Sequence, residues 1–229
     1  MTDRKAKQRA REGFLLQVYA AITMDIVGST QVYQTSNQPL RPRLLDVIEL
    51  TNSRFRDDLA VPFRITLGDE FQGLVHNLSA CPQIVSLLRL HLNPLRCRIG
   101  VGIGSVASAP APSTLDMEGI AFSMSRKALE SAKKQGSFTL YRMSDDSRLE
   151  RAANIVSMLV DTIQGEWSEK QWEAARAYFD HPSTTAAALS LHVSRQAVDQ
   201  RLRLAHYHEI QEAMDGLSRL LASHAQQAA

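Results

Sequence analysis

A chain of 229 residues, 44% apolar and 22% charged, is long enough to bury one large core or two modest ones. Its net charge of +2 excludes a molecule-wide attraction to nucleic acid or to an anionic membrane, so any basic surface is local. Two cysteines, Cys81 and Cys97, are too few for a disulfide framework and match no paired metal spacing, so free thiols in a cytoplasmic protein are expected.

Residues 1–17 read as a basic, solvated arm: the first twelve hold five basic and two acidic side chains and little that can pack. Arg4–Arg11 followed by the apolar Phe14–Ile22 imitates a signal peptide. Gln17, Thr23 and Asp25 break or end that run, however, and no small-residue cleavage pattern follows. Nothing approaches the ~20 apolar residues of a membrane span, so no membrane partner is expected.

Val18–Ile26 is a short, mostly apolar run that stops at Gly28, as a buried strand does. Leu40–Leu59 has helical apolar spacing, at Leu44, Leu45, Val47, Ile48, Leu50, Phe55 and Leu59. Phe63–Leu67 alternates strictly, and Gly68-Asp69 joins it to Phe71–Val75, a hairpin signature. Cys81–Leu92 is helical again. Cys97–Val106 alternates Ile99, Val101 and Ile103 with glycines, which suits a strand closely approached on one side. A Pro/Ala loop at Ala107–Ser113, a helix over Glu118–Lys134 and a strand over Ser137–Tyr141 complete a β-α-β-β-α-β-α-β order. That order is a ferredoxin-like split βαβ core with an added helix and strand. The fold class is therefore α/β (α+β): a palm over 18–143, followed by an all-α domain over 144–229 in which Pro182 makes the one sharp break.

Within the helical part, Ser183–Tyr207 reads as helix-turn-helix, centred on about 184–207. Ala188 sits at the close helix contact, His192 at the turn, Ser194 at the N-cap, and Val198 and Leu202 on the buried face. His192 replaces the usual glycine at a position that favours positive φ. A supporting helix, Ser168–Phe179, carries Trp172, Ala175 and Phe179 in register. Exposed residues near the start of the second helix, Arg195, Gln196, Asp199 and Gln200, with Arg203 beyond, are placed to meet a major groove. From Gly165 onward there are six Lys/Arg against eight Asp/Glu, a net of −2, which opposes DNA affinity; a protein-contact role stays open. The five histidines from His181 to His224 group at no ligand spacing and are expected on the surface.

Two segments bear on chemistry. Asp25-Ile26-Val27-Gly28-Ser29-Thr30 puts a carboxylate at a strand end before a glycine turn, where Gly28, Ser29 and Thr30 could face phosphate. Gly68-Asp69-Glu70-Phe71-Gln72 puts acids on the adjoining hairpin. Two converging carboxylates repel, and a divalent cation, Mg²⁺ or Mn²⁺, is the usual remedy. Singly, each motif is more often ordinary turn chemistry.

In this order and on this framework they resemble the palm of class III nucleotidyl cyclases and GGDEF-type diguanylate cyclases. The resemblance implies metal ligands at Asp25 and Asp69, with the Ile26 carbonyl, and matches Glu70 to the second acid of GGDEF. Together with Arg98-Ile99-Gly100-Val101-Gly102-Ile103-Gly104 and Gly119-Ile120-Ala121-Phe122-Ser123-Met124-Ser125-Arg126, the set is similar to the SatD family over nearly the full chain. Against the cyclase pattern, Ser123 stands at the transition-state asparagine, Lys127 at the arginine with Arg126 one residue early, and Ile65 at the base-selecting lysine. Arg126 and Lys127 are the candidate catalytic contacts. The metal half of a cyclase site is thus present, while the base-reading and transition-state halves depart from it.

Two functions follow as expectations: a regulator that binds nucleotide and Mg²⁺ in the palm and DNA through the helix-turn-helix, or an active cyclase or nucleotidyltransferase whose helical tail serves assembly. A palm kept only as scaffold is a third. The resemblance further implies a head-to-tail homodimer, with Asp25 and Asp69 facing the other chain's Arg126/Lys127 region.

Overall fold

The structure is a computed structural model that describes residues 17–28, 40–107 and 113–227. The basic arm, Ser29, Thr30 and most of the Pro/Ala loop lie outside the described residues. Five strands form one sheet in the order β2-β3-β1-β4-β5: β1 (Tyr19–Ile26), β2 (Leu59–Leu67), β3 (Glu70–Val75), β4 (Cys97–Gly104) and β5 (Thr139–Met143). β1 is central and antiparallel to both β3 and β4, while β5 runs parallel to β4. A parallel neighbour needs a crossover, and α3 (Ile120–Gln135) supplies it.

Alternation along β1 assigns the two faces. Ala20, Ile22, Met24 and Ile26 join the main core under α1 (Leu40–Arg54) and α2 (Cys81–Leu92). Tyr19 and Ala21 belong to a smaller cluster with Val61, Leu74 and Ala121, and Thr23 and Asp25 follow on that face. The glycines of β4 explain the close packing of α3. A Cβ at Gly102 would lie 2.0 Å from the Ser125 nitrogen and 2.2 Å from the Ala121 oxygen; one at Gly100 would lie 2.2 Å from the Ser125 oxygen. Helix backbone rests directly on strand backbone, through Ala121, Ser125, Ala128 and Ala132.

α1 ends at Arg54, before the expected Leu59. A short turn over Arg56–Asp58 intervenes, and Leu59 already pairs with Val75 in β2. Cross-strand pairing outweighs helical spacing there. Pro62 is tolerated because β2 is an edge strand with register shifts.

After β5 only helices follow: α4 (Ser147–Gly165), α5 (Glu169–Asp180), α6 (Thr184–Leu191), α7 (Arg195–Leu204) and α8 (Tyr207–Gln227). α4 lies along the free edge of β5 and satisfies it with side chains. Glu150 accepts from the Met143 N–H, Asn154 exchanges two bonds with Tyr141, and Asp161 accepts from the Phe138 and Thr139 N–H groups. The main core continues from the palm into α4–α8 as one cluster. Arg54 and His91 of the palm both meet Asp180 of α5, at 3.3 and 3.0 Å. Among the described residues no helix is long and apolar enough to cross a membrane.

Candidate functional site

Asp25 is the second-to-last residue of β1, on the α3 face, directly across from Arg98. Its Oδ2 pairs with Lys133 Nζ at 2.6 Å, and its Oδ1 is buried without a hydrogen-bond partner among the described residues. Asp69, at the hairpin tip, reaches back to the same strand end: its Oδ2 accepts from the Ile26 N–H at 3.1 Å. Asp69 thus contacts the peptide unit that follows Asp25, while the Asp25 carboxylate itself turns to Lys133 on α3. Glu70 opens β3 and accepts from the Thr66 hydroxyl at 3.3 Å. Gly28 follows the strand with φ +69°, and the preceding Val27 N–H is held by the Arg96 carbonyl at 2.8 Å.

Behind Asp25 the same face carries a buried polar chain. Gln72 donates to the Thr23 hydroxyl at 2.5 Å, and Thr23 shares a hydrogen bond of 2.9 Å with Ser125 of α3. These contacts lock β3, β1 and α3 together and hold the strand end in place.

Lys133 was not singled out from the sequence, although its signal is there. The glycine ladder of β4 engages α3 antiparallel, Gly104 at Ile120, Gly102 at Ala121 and Ser125, Gly100 at Leu129. One further step along both elements brings the turn containing Lys133 to the row of Asp25 and Arg98. At 45% exposure the lysine is a displaceable countercharge. Among the described residues no three or more His, Cys, Asp or Glu side chains gather at one point. The donors beside Ile26 are oxygen ligands of the type a hard cation takes, and the orphaned Asp25 oxygen is one of them.

Arg126 and Lys127 are exposed and line an open groove of about 520 Å³ on α3 with Met117, Phe122 and Glu130. Asp25 does not border that groove; its partner on α3 is Lys133, two turns further along the helix from Arg126.

In the helical part, α6 and α7 are joined by His192, Val193 and Ser194. His192 adopts the left-handed conformation, φ +53°, and the Ser194 hydroxyl accepts from the Ala197 N–H at 3.2 Å. Val198 and Leu202 are buried; Arg195, Gln196, Gln200 and Arg203 are exposed. Arg195 lies 3.8 Å from Asp199, one turn on. His224 corrects the surface expectation: it is 8% exposed, with Asp145 and Asp146 at 3.6 and 3.8 Å, because it falls on the buried stripe of α8.

A solved bacterial light-regulated adenylyl cyclase is 14% identical over 66% of this chain and 81% of its own, with a TM-score of 0.40. A second structure of a bacterial light-regulated adenylyl cyclase is 14% identical over 55% of this chain and 43% of its own, at 0.39. The dimeric guanylyl cyclase domain of the RhoGC fusion protein from the aquatic fungus Blastocladiella emersonii is 17% identical over 50% of this chain and 74% of its own, at 0.37. No curated protein shows significant similarity. The SatD family model matches residues 19–205, from the first residue of β1 to the C-cap of α7, and the chain belongs to the SatD family.

Proposed function

We propose that this protein is a regulator that binds a nucleotide with Mg²⁺ or Mn²⁺ at the Asp25/Asp69 end of its palm and DNA through α7. The carrying observation is the buried Oδ1 of Asp25, which has no hydrogen-bond partner among the described residues, at the strand end that Asp69 reaches through the Ile26 N–H, with one half-exposed lysine as countercharge. Asp25, Asp69 and the Ile26 carbonyl would hold the cation, with Glu70 adjoining; bound there, it would offset phosphate charge. Lys133 neutralises Asp25 when no cation is present and becomes free to meet a phosphate when one is.

Turnover has less support. The positive groups of α3 nearest the cyclase positions, Arg126 and Lys127, border a different groove from Asp25, so a complete site requires a second copy. A head-to-tail homodimer would supply it.

The test is calorimetric titration with Mn²⁺ and with nucleoside triphosphates, followed by product analysis. Binding is expected in the wild type, is lost in Asp25→Asn, and for the metal alone is strengthened in Lys133→Ala. Absence of metal binding in both the wild type and Lys133→Ala sinks the palm reading. Release of a cyclic nucleotide shifts the assignment to the enzyme.

A further inference from the structure

We infer that the junction between palm and helical part is a binding site for a small monoanionic aromatic acid, separate from the Asp25/Asp69 end. A cavity of about 350 Å³ opens between the start of β4, the entry to β5 and helices α2, α4 and α5. Its size and its position between two parts of the chain are those of small-molecule sites.

The wall chemistry selects the ligand. Arg89 is 10% exposed and forms a buried ion pair with Asp161, so its charge is already matched. The other oxygen of Asp161, Oδ2, accepts from the Phe138 and Thr139 N–H groups. Arg96 is different. Its guanidinium lies 4.6 Å over the Phe138 ring and has no carboxylate partner among the described residues. The cavity thus offers one uncompensated positive charge, held flat by stacking, with a fork that fits a carboxylate. A single charge favours a monoanion over a phosphate dianion or a polyphosphate.

Trp172 also lines the cavity, and its indole N–H has no hydrogen bond among the described residues. Trp172 provides a surface for a planar ring, while the Phe138 ring carries Arg96 and has Arg89 5.9 Å from its centroid. Gln164, 4% exposed, also lines the cavity, and its Oε1 lacks a partner among the described residues. A donor on the ring would satisfy it. A hydroxyaromatic carboxylate meets all these groups.

The chain has two tryptophans; Trp172 lines the cavity and Trp167 packs against it. Trp172 packs edge-on against Trp167 with centroids 4.8 Å apart, and the Trp167 indole donates to the Ala205 carbonyl at the end of α7 at 2.8 Å. Occupancy therefore changes intrinsic fluorescence directly.

Full-length protein is titrated with benzoate and 4-hydroxybenzoate by calorimetry, with tryptophan emission recorded for benzoate. Cyclohexanecarboxylate, benzamide and inorganic phosphate serve as controls. Both aromatic acids are expected to bind with Kd in about the millimolar range or tighter, 4-hydroxybenzoate at least as tightly as benzoate. Arg96→Ala, at an exposed position, weakens binding about tenfold or more, and Arg96→Lys does not restore it. Trp172→Ala weakens it as well. Equal binding of benzamide or phosphate, unchanged affinity in Arg96→Ala, or no binding of either aromatic acid overturns the assignment. The Asp25→Asn variant, which abolishes metal binding at the palm end, keeps aromatic-acid binding; its loss there would also overturn separateness.

Discussion

A Cβ added at Gly102 meets helix backbone, not the tip of a flexible side chain, so nothing nearby can yield cheaply. Gly102→Ala is expected to cost about 3 kcal/mol or more, with α3 pushed off the sheet. Gly136, by contrast, ends α3 at φ +71° with open space around it, so Gly136→Ala costs only about 1 kcal/mol through backbone strain. Urea denaturation midpoints of the two variants distinguish packing from conformation. The thiols supply a second residue-scale expectation. Cys81 and Cys97 are both buried; burial pushes the Cys97 thiol up to about 11 and the Cys81 thiol higher still. Neither should react with iodoacetamide at neutral pH until the chain unfolds, which mass spectrometry after timed labelling reads directly.

At the scale of elements, the fit of α4 to β5 is the contact with most at stake. An edge strand with unpaired backbone groups invites association, and here Glu150, Asn154 and Asp161 close the edge from one stripe of a single helix. Asp161→Ala removes two backbone partners and leaves Arg89 buried without its counterion. The expected loss is about 3–5 kcal/mol, read as a lowered denaturation midpoint. The Ser194 cap of α7 is exposed and ordinary by comparison, and Ser194→Ala should cost about 1 kcal/mol. If α7 reads DNA, an Arg195→Ala/Gln196→Ala pair abolishes sequence enrichment from genomic fragments, whereas Arg203→Ala weakens all sequences alike. Identical enrichment by the double variant makes the unit a protein-contact element.

At the scale of the whole molecule, the two parts meet through α2, and His91 at its end gives that contact a pH dependence. Burial lowers the imidazole's pKa, against the opposing pull of Asp180. The unfolded chain binds this proton more readily than the folded one. The contribution is therefore fully present above the ordinary histidine value of about 6.5 and is lost as pH falls below it. Thermal unfolding should show stability declining from about pH 6.5 downward, and His91→Gln should flatten that limb. An unchanged slope in His91→Gln would assign the acid sensitivity elsewhere.

Much of this architecture is legible in one dimension because its determinants are local. A short apolar run marked β1, alternation marked β2, Gly68-Asp69 marked the hairpin, and Ser183, His192 and Ser194 bracketed α6 and α7 within a residue or two. The glycines of β4 announced a close approach, and Asp25 and Asp69 announced a shared strand end. What only the tertiary structure decided is partnership across distance. Lys133 meets Asp25 from 108 positions away, Asp161 pairs with Arg89 across 72, and His224 is buried beside Asp145 and Asp146 because α8 turns that stripe inward. A charged or polar side chain reads alike in sequence whether it faces water or a buried counterion. Its environment is set by how helices dock on the sheet, and that is fixed by shape and burial, which no short window of residues contains.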